Sequence, residues 1–235
     1  MKYYAIADLH GRFDLLEKAF ERITQDCLEN PTPEGATTIT LGDYIDRGPQ
    51  SKQIIDKLID RQDGSQLGSR LVCLKGNHED MAVQVCSNPT LNMQSWWIGN
   101  GGAATFKSYA EDATAIDIDH EHIKWMANLP LYLETEKQVF VHAGIPDNNI
   151  PLEKQDSEKM MWMLYNPTDM GGYQGKHVVH GHHQFADGPH EWKGSKRGGR
   201  TDLDCWAYHT GRLVIGVFDD TQGPALKFLE VTDGG

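Results

Sequence analysis

The sequence predicts an α/β protein in which a mainly parallel sheet is covered by helices. Two observations carry this. Short apolar runs rich in branched residues alternate with segments of helical period, in the order βαβαβα over the first third of the chain. Several of those runs then end in glycine beside Asp, Asn or His, as strands do when their carboxyl ends line a ligand crevice.

Tyr3 to Ala7 reads as a short buried strand. Asp14 to Thr24 follows as a helix with Leu15, Leu16, Ala19, Phe20 and Ile23 on one face, and Asp14 is placed to cap it or sit in its first turn. Thr37 to Leu41 is β-branched and apolar, hence strand. Ser51 opens a helix carrying Ile54, Ile55, Leu58 and Ile59 opposite a charged face. Residues 63–69 form a polar loop, Arg70 to Leu74 a third strand, and Glu79 to Cys86 a third helix. The middle is less regular: Trp96-Trp97-Ile98 and Asn100-Gly101-Gly102 precede helices expected over Ala103 to Tyr109 and Glu121 to Asn128. Leu131 to Glu134 and Val139 to His142 make a hairpin, and Ser157 to Leu164 a helix. Val178 to His180, Leu213 to Val217 and Leu226 to Val231 are strands. Phe185 to Gly199, rich in Gly, Lys and Arg, reads as a mobile surface loop. With no repeat, low-complexity tract or linker, one domain over 1–235 is the simplest division.

A chain of 235 residues buries enough surface to fold without disulfide staples. The net charge of −12 disfavours nucleic acid or an anionic membrane as the main partner, although a local cluster of metal ions would still admit an anionic substrate. Cys27, Cys73, Cys86 and Cys205 show no CxxC spacing and fit reduced thiols. The N-terminal run meets Asp8 at once, unlike a signal peptide, and no apolar run reaches membrane-spanning length, so a cytoplasmic location is expected.

Five segments share one design, a strand followed by ligand-type residues: DLHG from Asp8, GDYIDRG from Gly42, GNHE from Gly76, HAG from His142, and HGH from His180. Asp8 and His10, two apart on an extended strand end, would point to the same side, and a carboxylate with a neutral imidazole suits Mn, Fe or Zn. Asp43 can bridge two ions, and Asn77, His142 and His182 can complete the second. Gly11, Gly42, Gly76, Gly144 and Gly181 allow tight turns and close backbone approach. Taken singly, each motif has an ordinary explanation: DxH as surface loop, GNH as a turn, His142 as a core histidine bonded to a carbonyl. That ordinary account has to hold independently at five strand ends.

DLHG, GDYIDRG, GNHE, HAG and HGH, in this order, resemble the metallophosphoesterase superfamily and, within it, the phosphoprotein phosphatases of the bacteriophage-lambda type. The likeness spans nearly the whole chain and includes WWIGNGG from Trp96 and the late TDLDCWAYHTGRL run. It implies an α/β sandwich of two mixed sheets flanked by helices. It implies two divalent ions, manganese foremost with iron or zinc as alternatives, the first held by Asp8, His10 and Asp43 and the second by Asp43, Asn77, His142 and His182. It implies His78 as general acid oriented by Asp46, with Arg47, Asn77 and Lys75 on the phosphate. The implied activity is that of a Ser/Thr or dual-specificity protein phosphatase, a phosphomonoesterase acting on a phosphorylated protein or small phosphoester through a water activated by the two metals.

Two departures stand out. Lys75 replaces a family arginine and offers a point charge instead of a bidentate fork. Leu164 stands where a second arginine is expected after Trp162, with Arg197 or Arg200 as replacements from the late loop. Glu79 is expected near a helix N-terminus, with a solvated carboxylate as the alternative. His183 should point away from His182, His180 could support the site from behind, His120 and His122 are read as solvated, Cys205 as a plain buried thiol, and Trp96 and Trp97 as packing residues, an exposed one able to line the groove. Two rivals share the fold: a symmetrical diadenosine tetraphosphate hydrolase, disfavoured by Asp46 and Glu79, and a degenerate binding module, disfavoured by six intact metal ligands.

Overall fold

The computed structural model describes residues 1–63 and 69–234. Residues 64–68 of the expected polar loop lie outside them.

The first layer follows the predicted order: β1 (Lys2–Ile6), α1 (Phe13–Glu29), β2 (Ala36–Thr40), α2 (Ser51–Asp63), β3 (Ser69–Cys73) and α3 (Asn77–Ser87). Asp14 lies in the first turn of α1 and pairs with Arg12 instead of capping. Then come α4 (Leu91–Gly99), α5 (Gly102–Tyr109) and α6 (His120–Ala127). The second layer holds the hairpin β4 (Tyr132–Glu134) and β5 (Gln138–Val141), α7 (Ser157–Trp162), β6 (His177–His180), β7 (His190–Ser195) and β8 (Gly198–Asp202). A short α8 (Ala207–Thr210) leads to β9 (Arg212–Asp219) and β10 (Gln222–Thr232).

Two five-stranded mixed sheets result, ordered β10-β9-β1-β2-β3 and β4-β5-β6-β8-β7. β1, β2 and β3 are parallel, as are β5, β6 and β8, while β9, β10, β4 and β7 run antiparallel to their neighbours. The period of two along a strand sorts the core into layers. Tyr3 and Ala5 join Ile39, Phe140, Val179, Val214 and Phe218 between the sheets. Tyr4 and Ile6 join Leu15, Leu16, Ile54, Ile55 and Met81 under the helices. Val139, Val141 and Val178 pack with Met160 and Leu152 on the far side of the second sheet. Each such large side chain contributes roughly 1.5–3 kcal/mol by leaving water.

Two sequence expectations fail here. The segment 185–199 is not a loop throughout: it contains β7 and the start of β8, paired antiparallel. Its Gly and Lys content reflects an edge strand with a tight turn, while Trp192 packs inward over Arg200. The other is α4, which the sequence did not indicate as a helix. Its apolar residues lack a helical stripe, and its start is set by Thr90, whose hydroxyl accepts from the Met93 N–H at 3.3 Å.

Candidate metal centre

Asp8 and His10 follow β1. Asp43, Asp46 and Arg47 follow β2, Asn77 and His78 open α3 directly after β3, His142 follows β5, and His182 follows β6. All but Arg47 and His182 are buried, and those two are half-buried. Asp43 is the hub. Its Oδ2 lies 3.4 Å from His10 Nε2 and 3.8 Å from His78 Nε2. Its Oδ1 lies 3.4 Å from His142 Nε2 and accepts from the His78 backbone N–H at 3.2 Å. Ligand atoms of His10, Asp43 and His78 fall within 4.8 Å of one another, and so do those of Asp43, His142 and His182. Asp43 thus divides its two oxygens between two groups. Asp8 falls outside both groups; its Oδ2 accepts from the His182 N–H at 3.0 Å. Gly181 permits that approach, since a Cβ there would collide with Asp8 Oδ2.

The bonding pattern fits cations. His10 Nδ1 bonds to the Ile45 carbonyl at 2.8 Å, so the proton sits there and Nε2 presents a lone pair. His142 Nδ1 bonds to the Leu41 carbonyl at 2.9 Å, and its Nε2 lone pair faces Asn77 Oδ1 at 2.8 Å and His182 Nδ1 at 3.3 Å. Turning the Asn77 amide over would place donors against His142, His182 and Asp43. It would still leave Asp8 Oδ1 and His10 Nε2 buried without a partner. Converging lone pairs with no proton between them are a ligand set for hard-to-borderline divalent ions. Burial holds His10 and His142 well below the ordinary imidazole value and lowers His182 to about 4, which keeps all three neutral. Burial, reinforced by neighbouring carboxylates, pushes Asp8 and Asp43 well above the ordinary range. A bound cation would reverse that push.

The backbone is strained at the same place. Among the described residues, eight non-glycines have positive φ, and six of them are Asp8, His10, Asp43, Asp46, Arg47 and His182. Such conformations cost about 1–3 kcal/mol each and persist where the surroundings over-determine them. They also correct one expectation: Asp8 and His10 do not converge by alternation on an extended strand, because both sit in left-handed turns.

Beside the hub lies a second device. His78 Nδ1 meets Asp46 Oδ2 at 2.6 Å, and His78 Nε2 lies 3.3 Å from an Arg47 Nη. Asp46 is held by two residues the sequence reading did not assign to the site: Thr105 Oγ1 donates to Oδ1 at 2.5 Å, and the buried Trp97 indole N–H donates to Oδ2 at 2.7 Å. Burial raises Asp46 to about 7 against those donors, and burial followed by Arg47 lowers His78. Neutral acid with neutral imidazole and carboxylate with imidazolium have the same proton count. In either of these two forms the pair is net neutral and carries a proton at Nε2.

Glu79 is neither solvated nor a dipole partner only. Fully buried, it accepts from the backbone N–H groups of Asp43, Tyr44 and Gly76 at 2.8, 2.8 and 3.0 Å, clamping the β2 loop to the start of α3. Tyr208 also escaped the sequence reading; its ring stands edge-on to His10 and under the Arg47 guanidinium. So did Asp204, buried and raised to about 7 by burial, whose charge bears on Asp8. Strand-end position alone gave no signal for these, although WWIGNGG and TDLDCWAY mark the segments.

Other expectations are corrected or placed. Lys75 Nζ donates to the Ala127 carbonyl at 2.8 Å, outside the bonded cluster. Arg200 does not reach for phosphate: it is fully buried between the Trp192 and Tyr165 rings and donates to the Asp169 carbonyl at 3.0 Å. His122 is buried, bonded to Tyr109 Oη at 2.7 Å and 3.1 Å from Asp56. His180 bonds to Arg200 and to the Gly181 carbonyl. His183 turns to Phe185. Burial raises the Cys205 thiol to about 12.

Residues 1–208 match the family described as calcineurin-like phosphoesterase, and the chain belongs to it. It is similar to serine/threonine-protein phosphatase 1 of Salmonella typhimurium, 25% identical over 68% of this chain and 67% of that protein. It is also similar to the asymmetrical bis(5'-nucleosyl)-tetraphosphatase PrpE of Anoxybacillus flavithermus, 29% identical over 68% of this chain and 64% of that one. The chain thus spans about two thirds of the length of these curated relatives. Among solved structures, a candidate diadenosine tetraphosphatase shares the fold at TM-score 0.66 and 18% identity, covering 98% of this chain and 93% of that one. A cold-active protein tyrosine phosphatase shares it at 0.57 and 17%, covering 94% and 77%. Among the described residues, no helix is long and apolar enough to cross a membrane.

Proposed function

We propose that this protein hydrolyses phosphoric monoesters, on a phosphorylated protein or a small phosphoester, as a single catalytic domain over 1–235. The last strands support that extent, because β9 and β10 complete the sheet begun by β1. Asp8, His10 and Asp43 would hold one divalent ion, and Asp43, Asn77, His142 and His182 the other, with manganese first and iron or zinc as alternatives. When bound, such a pair supplies Lewis acidity and a strong nucleophile near neutral pH.

The observation that carries the reading is the juxtaposition of Asp43 with the His78–Asp46 pair and Arg47. Arg47 presents its guanidinium to the equatorial phosphoryl oxygens, where charge grows in the transition state. His78 gives its Nε2 proton to the departing oxygen, and Asp46, held by Thr105 and Trp97, keeps the imidazole turned for that transfer. The ester oxygen sits between two donors that otherwise face each other at 3.3 Å. No side chain forms a covalent phosphoenzyme, consistent with the inert Cys205.

The second reading is a dinucleoside tetraphosphatase, favoured by the relatives of that name. Its leaving group is a phosphate, a far weaker base than an alkoxide or phenolate, and it needs no proton from His78. The built acid pair therefore favours the monoester. The test is a manganese-loaded assay of phosphate release from a phosphopeptide against nucleotide release from diadenosine tetraphosphate. Faster nucleotide release, untouched by loss of His78, would select the second reading; no turnover of either would leave a binding module.

A further inference from the structure

We propose that Trp96 and Trp162 form a stacking ledge for the aromatic ring of an aryl phosphomonoester of the phosphotyrosine kind, an inference that rests on the phosphomonoesterase reading above. The ledge is fastened to the site at both ends. Trp162 closes α7, and its indole stands edge-on to the His182 ring at 6.2 Å between centroids. Trp96 stacks on Trp162 at 6.4 Å and 27°. The helix carrying Trp96 is tied to the phosphate end, since the Arg47 backbone N–H donates to the Gly101 carbonyl just past α4 at 3.2 Å. The two rings thus lie in a row beside a candidate metal ligand, on elements of which one is tied at its end to Arg47.

Packing accounts for only part of this surface: Trp162 is half-buried against the core under the helices, whereas Trp96 is not part of that core. α4 buries Trp97 completely, yet leaves Trp96 39% exposed and Ile98 and Leu91 more so. Leu164, just past α7, is 62% exposed. A helix apolar on its outer face beside an active site marks a surface meant to be covered. The occupant follows from reach. In an aryl phosphate the ring is bonded to the ester oxygen itself, so a phosphoryl group at the metal ligands puts that ring within stacking distance of Trp162. A seryl ester offers one methylene there and covers neither indole. A purine, held beyond a ribose, lies too far from the ester oxygen to meet Trp162 first.

The test compares peptides of one sequence carrying phosphotyrosine or phosphoserine, with β-glycerophosphate as a third substrate, on the manganese-loaded protein. Trp96→Ala should lower kcat/KM for the phosphotyrosyl peptide by about 3–10-fold, mostly through KM, and change the other two by under about 2-fold. Trp96→Phe should restore the difference. Phenylphosphonate should lose inhibitory affinity in Trp96→Ala while methylphosphonate does not. An equal loss on all three substrates, or none, overturns the ledge and leaves the phosphomonoesterase reading standing. A loss confined to diadenosine tetraphosphate overturns it in favour of a base-binding surface. A wild-type protein inactive on all three phosphomonoesters removes the underlying reading and the ledge with it.

Discussion

His142 and His180 lie at the ends of two neighbouring parallel strands, β5 and β6, and both are buried, yet their surroundings differ in kind. Around His180 the chain brings its own cation. Arg200 donates to His180 Nε2 at 3.2 Å and to the Asp169 carbonyl at 3.0 Å, with aromatic rings on both faces of its guanidinium. Around His142 the neighbours are Asp43 Oδ1, the His182 Nδ1 lone pair and the Asn77 amide, and whichever way that amide is turned Asp8 Oδ1 and His10 Nε2 beside it stay buried without a partner. One cluster supplies its positive charge from the sequence, and the other is complete only with charge from outside. Burial and histidine count would not separate a structural network from a metal site here. The direction of the lone pairs does.

The hardest blow to the open cluster is chemical. His78→Asn should cut turnover of a phosphopeptide by ~10²–10⁴-fold, the range for losing a general acid. Elemental analysis should show the metal content unchanged, because Asp8, His10, Asp43, Asn77, His142 and His182 remain. Unaltered turnover would remove His78 from the reaction.

The closed cluster should answer the opposite way. Arg200→Met leaves His180 and the Asp169 carbonyl without their donor, and should lower unfolding free energy by about 1–3 kcal/mol for each acceptor left unsatisfied. Chemical denaturation reads that loss, while kcat per folded molecule stays near wild type. Lost activity at full folding would move Arg200 back to the phosphate, where the sequence reading had placed it.

That misplacement shows where sequence stops speaking. The strand-and-ligand segments were readable because they are local: each motif follows its own apolar run, and parallel strands bring their ends together without further information. Arg200 lies in a Gly- and Lys-rich stretch that resembles loop, and only pairing with β6 buries it. Glu79, Thr105 and Trp97 were hidden for a related reason. Their partners lie 35, 59 and 51 residues away, and one chain's residue spacing carries no such long-range contact. Glu79 was legible as a helix-start residue, and its three backbone bonds were not.

Thr105→Val sharpens the comparison at the acid pair. Removing the hydroxyl deletes one donor to Asp46 Oδ1 and one of the two acceptors of the Asp46 N–H, leaves Ser51 Oγ and Trp97 in place, and changes side-chain volume little. A hydrogen bond to a charged group contributes about 1.5–3 kcal/mol, so kcat should fall roughly 10–100-fold with KM and metal content held. If kcat were unchanged, Asp46 would need no outside help to orient His78.

The smallest expected effect is the most diagnostic of an open cluster, because its sign depends on the ion. In the metal-free protein Asp43 is a buried carboxylate beside the like charges of Glu79 and Asp204, with one backbone donor from His78. Asp43→Asn removes that charge and can keep the bond to the His78 N–H. Metal-free Asp43→Asn should therefore be more stable than wild type in chemical denaturation, since the amide escapes the burial and like-charge penalty that holds Asp43 well above the ordinary carboxylate range. Added manganese should raise the melting temperature of wild type, since it binds the folded state alone. It should do so far less in the variant, which has lost the ligand shared by both groups, and the order of stabilities then inverts. No such inversion can arise at Arg200, where the cation is covalently part of the chain. A variant less stable than wild type in both conditions would mean that Asp43 is held by the protein alone.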